Sequence, residues 1–153
     1  MIQSQSKTLL RLHHIGFVVD SIKNSAPGFI RSLNASWDEV VFADPGQKVK
    51  VTFLQGAPGD ALIELVEPNA EDAPVNLHLK KNGPGLHHLC YEVNVLEDAM
   101  VELRSKGALL AKPPKPAVAF EGRRIAWLLT SEKLLLELLE LKSTSAAAKS
   151  KGD

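Results

Sequence analysis

The sequence lacks several features that mark particular classes of protein. It has a single cysteine, Cys90, so no disulfide can form within the chain, and a cytoplasmic location is the simpler expectation. Lysine plus arginine and aspartate plus glutamate are both 18, which gives a formal charge of zero. Nucleic acid is therefore not expected as a partner, because its binding relies on clustered positive charge. No apolar run approaches the roughly 20 residues of a membrane-spanning helix, so no membrane contact is expected.

The rest of the composition is that of a folded domain. Hydrophobic residues make up 44% and charged residues 24% of the 153 residues, which is ordinary for a globular protein. This length suits one domain, or two small modules that share a core. We predict a single domain over 9–142. The remaining segment, 143–153, is rich in Ser, Ala, Lys and Gly, and we expect it to be a disordered tail.

Two pairs of segments recur in the same order. The segment LHHIGFVVD (12–20) is echoed by LHHLCYEVN (86–94), which places His88 74 residues after His14. The segment ALIELVE (61–67) is echoed by LLLELLE (134–140), which relates Glu64 to Glu137 at nearly the same spacing. A repeat at constant spacing indicates a duplicated unit. We therefore predict two modules, over about 9–68 and 85–142.

Hydrophobic spacing predicts the same order of elements in each module: a strand, a helix and three strands, or βαβββ. The helices are expected near 25–33 and 97–106, with one or two further helical turns at 75–79. Residues 112–116 are expected to form a stiff extended loop. The last segment would suit a helix by composition, but its counterpart in the first module favours a strand. The predicted strands are 9–19, 37–43, 47–54, 61–66, 86–95, 117–120, 124–129 and 134–141, and 108–110 is expected to begin another.

Each module offers one histidine early and one glutamate late. If the first and last strands of each module pair in one sheet, His14, Glu64, His88 and Glu137 come together around one point. Two imidazoles and two carboxylates suit a divalent cation such as Co, Zn, Ni or Mn. An octahedral cation with four protein ligands keeps two positions for a substrate and acts as a Lewis acid at a carbonyl or enolate oxygen. The sequence therefore predicts a metal site formed by these four residues.

Three neighbouring residues receive structural roles at this stage. Side chains alternate between the two faces of a strand, so His13 and His87 are expected on the faces opposite His14 and His88. Cys90 shares the face of His88, and a small buried thiol near the site is the expected role.

These features together resemble the vicinal oxygen chelate superfamily, which includes glyoxalase I, methylmalonyl-CoA epimerase, ring-cleaving dioxygenases and bleomycin-resistance proteins. The resemblance covers about residues 12–141. It implies an α+β fold in which two tandem βαβββ modules form a curved sheet around a metal site. The central block is most similar to methylmalonyl-CoA epimerases. That block comprises IELVEP (63–68), APV (73–75), LKKN (79–82) and GLHHLCYEV (85–93).

The resemblance also implies a function. The superfamily's metal positions fall on His14, Glu64, His88 and Glu137, and no other cofactor is implied. The expected activity is a metal-dependent epimerase that transfers a proton through an enolate on an acyl-CoA thioester such as methylmalonyl-CoA. Glu137, and then Glu64, are the candidate catalytic acid/base residues. Some epimerases carry a further carboxylate on the strand that here reads KVKVT (48–52), where no acid is present, so the second acid/base stays unassigned.

Two alternatives share the same fold. A glyoxalase I-like lactoylglutathione lyase uses the same ligand set on a glutathione hemithioacetal. A non-catalytic, resistance-type protein would bind a small molecule without retaining a metal, because fold alone does not decide function. Homodimers are common in the superfamily, and the apolar sheet surfaces allow one here.

Overall fold

The structure, a computed structural model, describes residues 8–141, so the expected tail lies outside the described residues. The described residues form nine strands, three α-helices and a 3₁₀ turn at Val118–Phe120. The elements in chain order are β1 (Leu9–Val18), α1 (Ile22–Leu33), β2 (Ser36–Trp37), β3 (Phe42–Asp44), β4 (Val49–Gln55), β5 (Leu62–Pro68), α2 (Val75–Asn82), β6 (Gly85–Val93), α3 (Leu96–Ser105), β7 (Leu109–Pro116), β8 (Arg124–Leu129) and β9 (Leu135–Glu140).

All the strands join one mixed sheet. Its order is β2-β4-β5-β1-β6-β9-β8-β7, and β3 pairs with β4 beside this path. The first strands of the two modules, β1 and β6, pair antiparallel at the centre. Each of them also pairs in parallel with the last strand of its own module, β5 or β9. The two modules are thus related by a pseudo-twofold axis at the β1–β6 pair, which confirms the predicted α+β fold of tandem βαβββ units.

Helices α1 and α3 cover one face of this sheet. Leu65 of β5 is fully buried in a cluster with Ile22 and Ala26 of α1. Leu138 of β9 is fully buried in a cluster with Leu96 and Ala99 of α3. Because successive strand residues point to opposite faces, the residues before these leucines, which are glutamates, point to the face that the helices leave open.

The first module differs from expectation at two element boundaries. Helix α1 begins at Ile22, where the hydroxyl of Ser21 accepts a hydrogen bond of 3.2 Å from the backbone N–H of Asn24 and caps the helix. The strand expected over 37–43 is divided into β2 and β3. The hydroxyl of Thr52 accepts from Trp37 Nε1 (2.7 Å) and donates to the Val40 carbonyl (2.6 Å), so a side chain replaces part of the backbone pairing.

The second module differs more. Residues 112–116, expected as a loop, belong to β7, where prolines are tolerated because this edge strand pairs only with β8. The strand expected over 117–120 is wrong. Glu121 (φ 54°) and Gly122 (φ 83°) turn the chain in the left-handed region, and the Gly122 N–H donates to the Ala117 carbonyl. The segment is therefore a tight turn. The final strand is confirmed as β9.

None of the helices within residues 8–141 is long and apolar enough to cross a membrane.

The core beneath α3 gives a stability prediction. Leu138 is 0% exposed, so Leu138→Ala leaves a cavity and is expected to lower the free energy of unfolding by about 2–5 kcal/mol. Val101 on α3 is 70% exposed, and Val101→Ala should cost less than about 0.5 kcal/mol. Urea unfolding of the metal-free variants measures both values. Equal losses would contradict the assignment of Leu138 to the core.

Candidate metal centre

Four buried donors meet on the open face of the sheet. The Nε2 atoms of His14 and His88 lie 3.1 Å apart. His14 Nε2 lies 3.5 Å from Glu64 Oε2 and 3.2 Å from Glu137 Oε1, and His88 Nε2 lies 3.3 Å from Glu64 Oε1. The four residues are between 0% and 4% exposed. The structure therefore brings together all four residues that the repeat singled out.

Strand register explains this convergence. Gly16 on β1 pairs with Glu64 on β5 and with His88 on β6. Its counterpart in the repeat, Cys90 on β6, pairs with Glu137 on β9 and with His14 on β1. The donors thus occupy neighbouring positions on the four central strands, and each module supplies one histidine and one glutamate.

Gly16 leaves the space that one ligand occupies. A Cβ atom built on Gly16 would stand 2.1 Å from Cε1 of His88, which is far inside van der Waals contact. The imidazole of His88 therefore lies directly over the backbone of Gly16. At the repeat-related position, the thiol of Cys90 is buried, and burial first and then Glu137 raise its pKa well above the ordinary value. Cys90 is thus a neutral packing thiol beside the centre, as expected.

The spacing of the donors fits a divalent cation. Bonds of about 2.0–2.2 Å from a cation to nitrogen or oxygen place neighbouring ligands roughly 2.8–3.1 Å apart in octahedral geometry and roughly 3.3–3.6 Å apart in tetrahedral geometry. The separations of 3.1–3.5 Å between the donor atoms lie within these limits. In addition, Glu137 Oε1 is buried and receives no hydrogen bond within the described residues. A cation would satisfy this oxygen and neutralise the two buried carboxylates.

The buried carboxylates and imidazoles also shift the pKa values of His14 and Glu137. Burial lowers the pKa of His14, but the carboxylates of Glu64 and Glu137 outweigh it and raise the pKa above its ordinary value. Burial would raise the pKa of Glu137, but contact with His14 and the nearby His88 lower it. The buried carboxylates therefore favour the protonated form of His14 when no cation is bound.

Two aromatic side chains that were not predicted from the sequence flank the donors. Phe53 on β4 pairs with Glu64, and Trp127 on β8 pairs with Glu137. The Phe53 ring lies 5.5 Å from the ring of His14, and the Trp127 ring lies 4.7 Å from that of His88. These aromatics are separated by the same number of residues as the two histidines, so the repeat itself could have identified them.

The expectation for His13 and His87 is wrong. Their Nδ1 atoms lie 2.9 Å from Nδ1 of His14 and 2.8 Å from Nδ1 of His88, so neither points to the opposite face. The register shifts explain this result. On β1, the two-residue advance from Leu12 to His14 pairs with an advance of only one residue on β6. Likewise, an advance of two residues on β6 across His87 pairs with an advance of one residue on β1. Each strand therefore carries a β-bulge that disrupts the alternation of side chains.

An apolar cavity of about 210 Å³ adjoins the donors. Glu64, Glu137, His87 and His88 line it, together with apolar side chains from both modules. A further carboxylate in its wall, Asp44, is only 6% exposed and accepts hydrogen bonds from the backbone N–H (3.1 Å) and Nε2 (2.9 Å) of Gln47. Asp44 lies between two of the predicted strands, and nothing in the repeat points to it.

The side of the centre nearer His14 is closed. The ring of Phe120, from the 3₁₀ turn, stacks on His14 at 5.8 Å with an interplanar angle of 20°. It also contacts the rings of His13 (5.4 Å) and Phe53 (5.7 Å). Access from the cavity is therefore on the His87 and His88 side.

A second, wider cavity of about 470 Å³ continues outward. It shares Asp44, Lys112 and Trp127 with the inner cavity, and it is also lined by Lys48 and Lys115. Burial, and then the charge of Lys115, lower the pKa of Lys112 below its ordinary value. The outer cavity thus brings cationic side chains close together beside an apolar entrance.

Known proteins share this arrangement of elements. The chain is 34% identical over 135 residues to the uncharacterized protein YqjC of Bacillus subtilis strain 168, covering 86% of this chain and 93% of that protein. It is 29% identical over 119 residues to an ethylmalonyl-CoA/methylmalonyl-CoA epimerase of Cereibacter sphaeroides, covering 77% and 87%. The crystal structure of methylmalonyl-CoA epimerase from Mycobacterium tuberculosis has the same fold, with a TM-score of 0.79 at 23% identity over 95% of this chain and 97% of that chain.

A family model matches residues 13–127, which include three of the four donors, all of β6 and the second half of β1. That match covers most of the chain and confirms the resemblance seen in the sequence. The chain belongs to the Glyoxalase/Bleomycin resistance protein/Dioxygenase superfamily.

Proposed function

We propose that this chain is a divalent-metal-dependent epimerase that inverts C2 of an acyl-CoA thioester of the methylmalonyl-CoA type by 1,1-proton transfer. One observation carries the proposal: a buried set of two histidines and two glutamates adjoins an apolar cavity that holds a further carboxylate. The epimerase relative from Cereibacter sphaeroides supports the choice of reaction and of substrate class.

The proposed ligands are His14, Glu64, His88 and Glu137. When bound there, a divalent cation supplies Lewis-acid stabilisation for the negative charge that develops on the substrate as the C2 proton leaves. The protein contributes the surroundings. Val49, Val51 and Val66 line the cavity, and such apolar walls keep bulk water from the reacting carbon and strengthen the electrostatic interactions there.

Proton transfer needs a base and an acid on the two faces of one carbon. Glu137 is the first choice for one role, because its carboxylate lines the cavity in which the reacting carbon would lie. Glu64 contacts both imidazoles and is better placed to hold the centre together. We assign the second role to Asp44, the carboxylate from the first module that lines the same cavity.

The reaction follows from these assignments. One carboxylate takes the proton from the carbon between the substrate's carboxylate and thioester groups, and its oxygen gains an O–H bond as the C–H bond breaks. The carboxylic acid from the other module returns a proton to the opposite face. Proton exchange with water then returns the base to its carboxylate form and the acid to its protonated form.

The outer cavity suits the rest of an acyl-CoA. The inner cavity has room for a short branched acyl group, and it adjoins the wider space lined by Lys112, Lys115 and Lys48, the last of which forms a salt bridge with Asp72 in the same wall. Phosphate groups favour such a cluster of ammonium groups. We propose that the acyl group enters first and that the anionic portion of the thioester remains in this outer space.

Loss of a ligand should remove the metal. In His88→Ala and Glu137→Ala we expect most of the bound divalent metal to be lost after dialysis, because each change removes one donor from the four. Metal content by mass spectrometry, together with the urea midpoint of each metal-free variant, measures the effect. His78→Ala, on α2 and away from the four donors, is the control and should retain metal. Full occupancy in both ligand variants would show that the centre is misassigned.

Exchange of the C2 proton should depend on the metal, and the rate of epimerisation should depend on Asp44. With methylmalonyl-CoA in deuterated water, proton NMR should show loss of the C2 proton in the metal-loaded chain and none after chelation. Asp44→Asn should slow the full epimerisation by about 10²–10⁴-fold, because it removes one acid/base group. Asp98→Asn, an exposed change on α3, is the control.

Other outcomes would redirect the proposal. If the metal stays bound but no exchange occurs, this substrate is wrong, and glutathione hemithioacetals are the next to be tested. If Asp44→Asn epimerises at the unaltered rate, the second acid/base is another group.

A further inference from the structure

The imidazole of the preceding residue lies within hydrogen-bond distance of Nδ1 in each proposed histidine ligand, His14 and His88. The rings of His13 and His14 meet edge to face, with centroids 5.1 Å apart at 80°. The rings of His87 and His88 repeat this arrangement at 5.1 Å and 87°. In both pairs the short contact joins Nδ1 to Nδ1. The same geometry therefore occurs twice, once in each module.

The contact constrains the protons on each pair. A neutral imidazole has one N–H donor and one nitrogen acceptor. For the Nε2 atoms of His14 and His88 to carry lone pairs toward a cation, each ligand must hold its proton on Nδ1. That N–H needs an acceptor, and the nearest nitrogen is Nδ1 of His13 or His87. These neighbours must therefore be neutral and carry their own proton on Nε2.

A further contact of His13 agrees with this tautomer. Nε2 of His13 faces the buried carboxylate of Glu92 at 4.0 Å, which favours a proton on that nitrogen. Glu92 in turn is bonded to Arg11 at 2.6 Å.

We propose that His13 and His87 are positioning residues that hold His14 and His88 in the tautomer protonated on Nδ1, so that both Nε2 lone pairs are directed at the cation site. This inference rests on the metal centre of the proposed function. It gives the two β-bulges a role, because only a bulge lets consecutive strand residues place their rings in contact. Partners of this kind orient metal-bound imidazoles and raise metal affinity.

Substitutions at one neighbour separate a hydrogen bond from mere packing. His87→Phe keeps the ring and removes the acceptor, whereas His87→Asn places an amide oxygen near the position of Nδ1. We expect the affinity for Zn²⁺, measured by competition with a chelator, to fall about 10–100-fold in the Phe variant and to return largely in the Asn variant. His78→Phe is the matched control. It makes the same ring exchange 4.9 Å from His87 without touching a ligand, and should leave affinity unchanged.

A spectroscopic measurement tests the tautomers directly. In the zinc-loaded chain, ¹⁵N NMR of the histidines should show protons on Nδ1 of His14 and His88 and on Nε2 of His13 and His87. A zinc-bound Nδ1 in either ligand would overturn the inference.

The outcomes also separate this inference from the metal centre. Equal zinc affinity in His87→Phe and the unaltered chain, with loss of zinc in His88→Ala, would overturn the positioning role and leave the centre standing. Equal losses in His87→Phe and His87→Asn would reduce His87 to a packing residue. No zinc binding by the unaltered chain would overturn both proposals.

Discussion

The antiparallel pairing of β1 with β6 is the contact on which the centre depends. It places Gly16 against His88 and Cys90 against His14, and it brings the two modules together along the line where all four donors lie. The parallel partners, β5 and β9, then add one glutamate from each side. Neither module alone contains more than half of the donor set. The centre therefore exists only when both modules are folded and paired.

This arrangement concentrates charge where water is excluded. Glu64 and Glu137 are almost fully buried, and isolated buried carboxylates are strongly destabilising unless they are paired. The imidazoles of His14 and His88 offset part of that cost, and a cation would offset more of it. The hydrophobic clusters on the other face supply the compensating stability, because α1 and α3 cover the strands directly behind the two glutamates. The site thus depends on the core behind it as much as on its own contacts.

The repeat predicted the fold and the four donors because it combines two local facts. Strand alternation fixes which residues share a face, and constant spacing shows that both modules use the same face. The prediction from strand alternation was wrong where the strands are irregular. His13 and His87 were expected on the wrong face, because a bulge is not visible in the pattern of apolar residues.

Residues without a repeat partner were also not predicted. Asp44 lies between two predicted strands, and its place in the cavity depends on how β3 packs in the folded chain. The expected strand at 117–120 proved to be the turn that carries Phe120, because the left-handed residues after it could not be distinguished from an ordinary hairpin. Tertiary contacts, rather than local propensity, decide both of these positions.

Phe120 finally marks where the twofold relation between the modules ends. The spacing of the repeat puts Gly46 at the corresponding position in the first module, so the aromatic wall that stacks on His14 has no aromatic counterpart at the repeat-related position. A site with perfect twofold symmetry would accept a small molecule equally well in two orientations related by a half-turn. This wall removes one of them. The chain thereby combines nearly symmetric donors with asymmetric surroundings, which the proposed reaction at one chiral carbon requires.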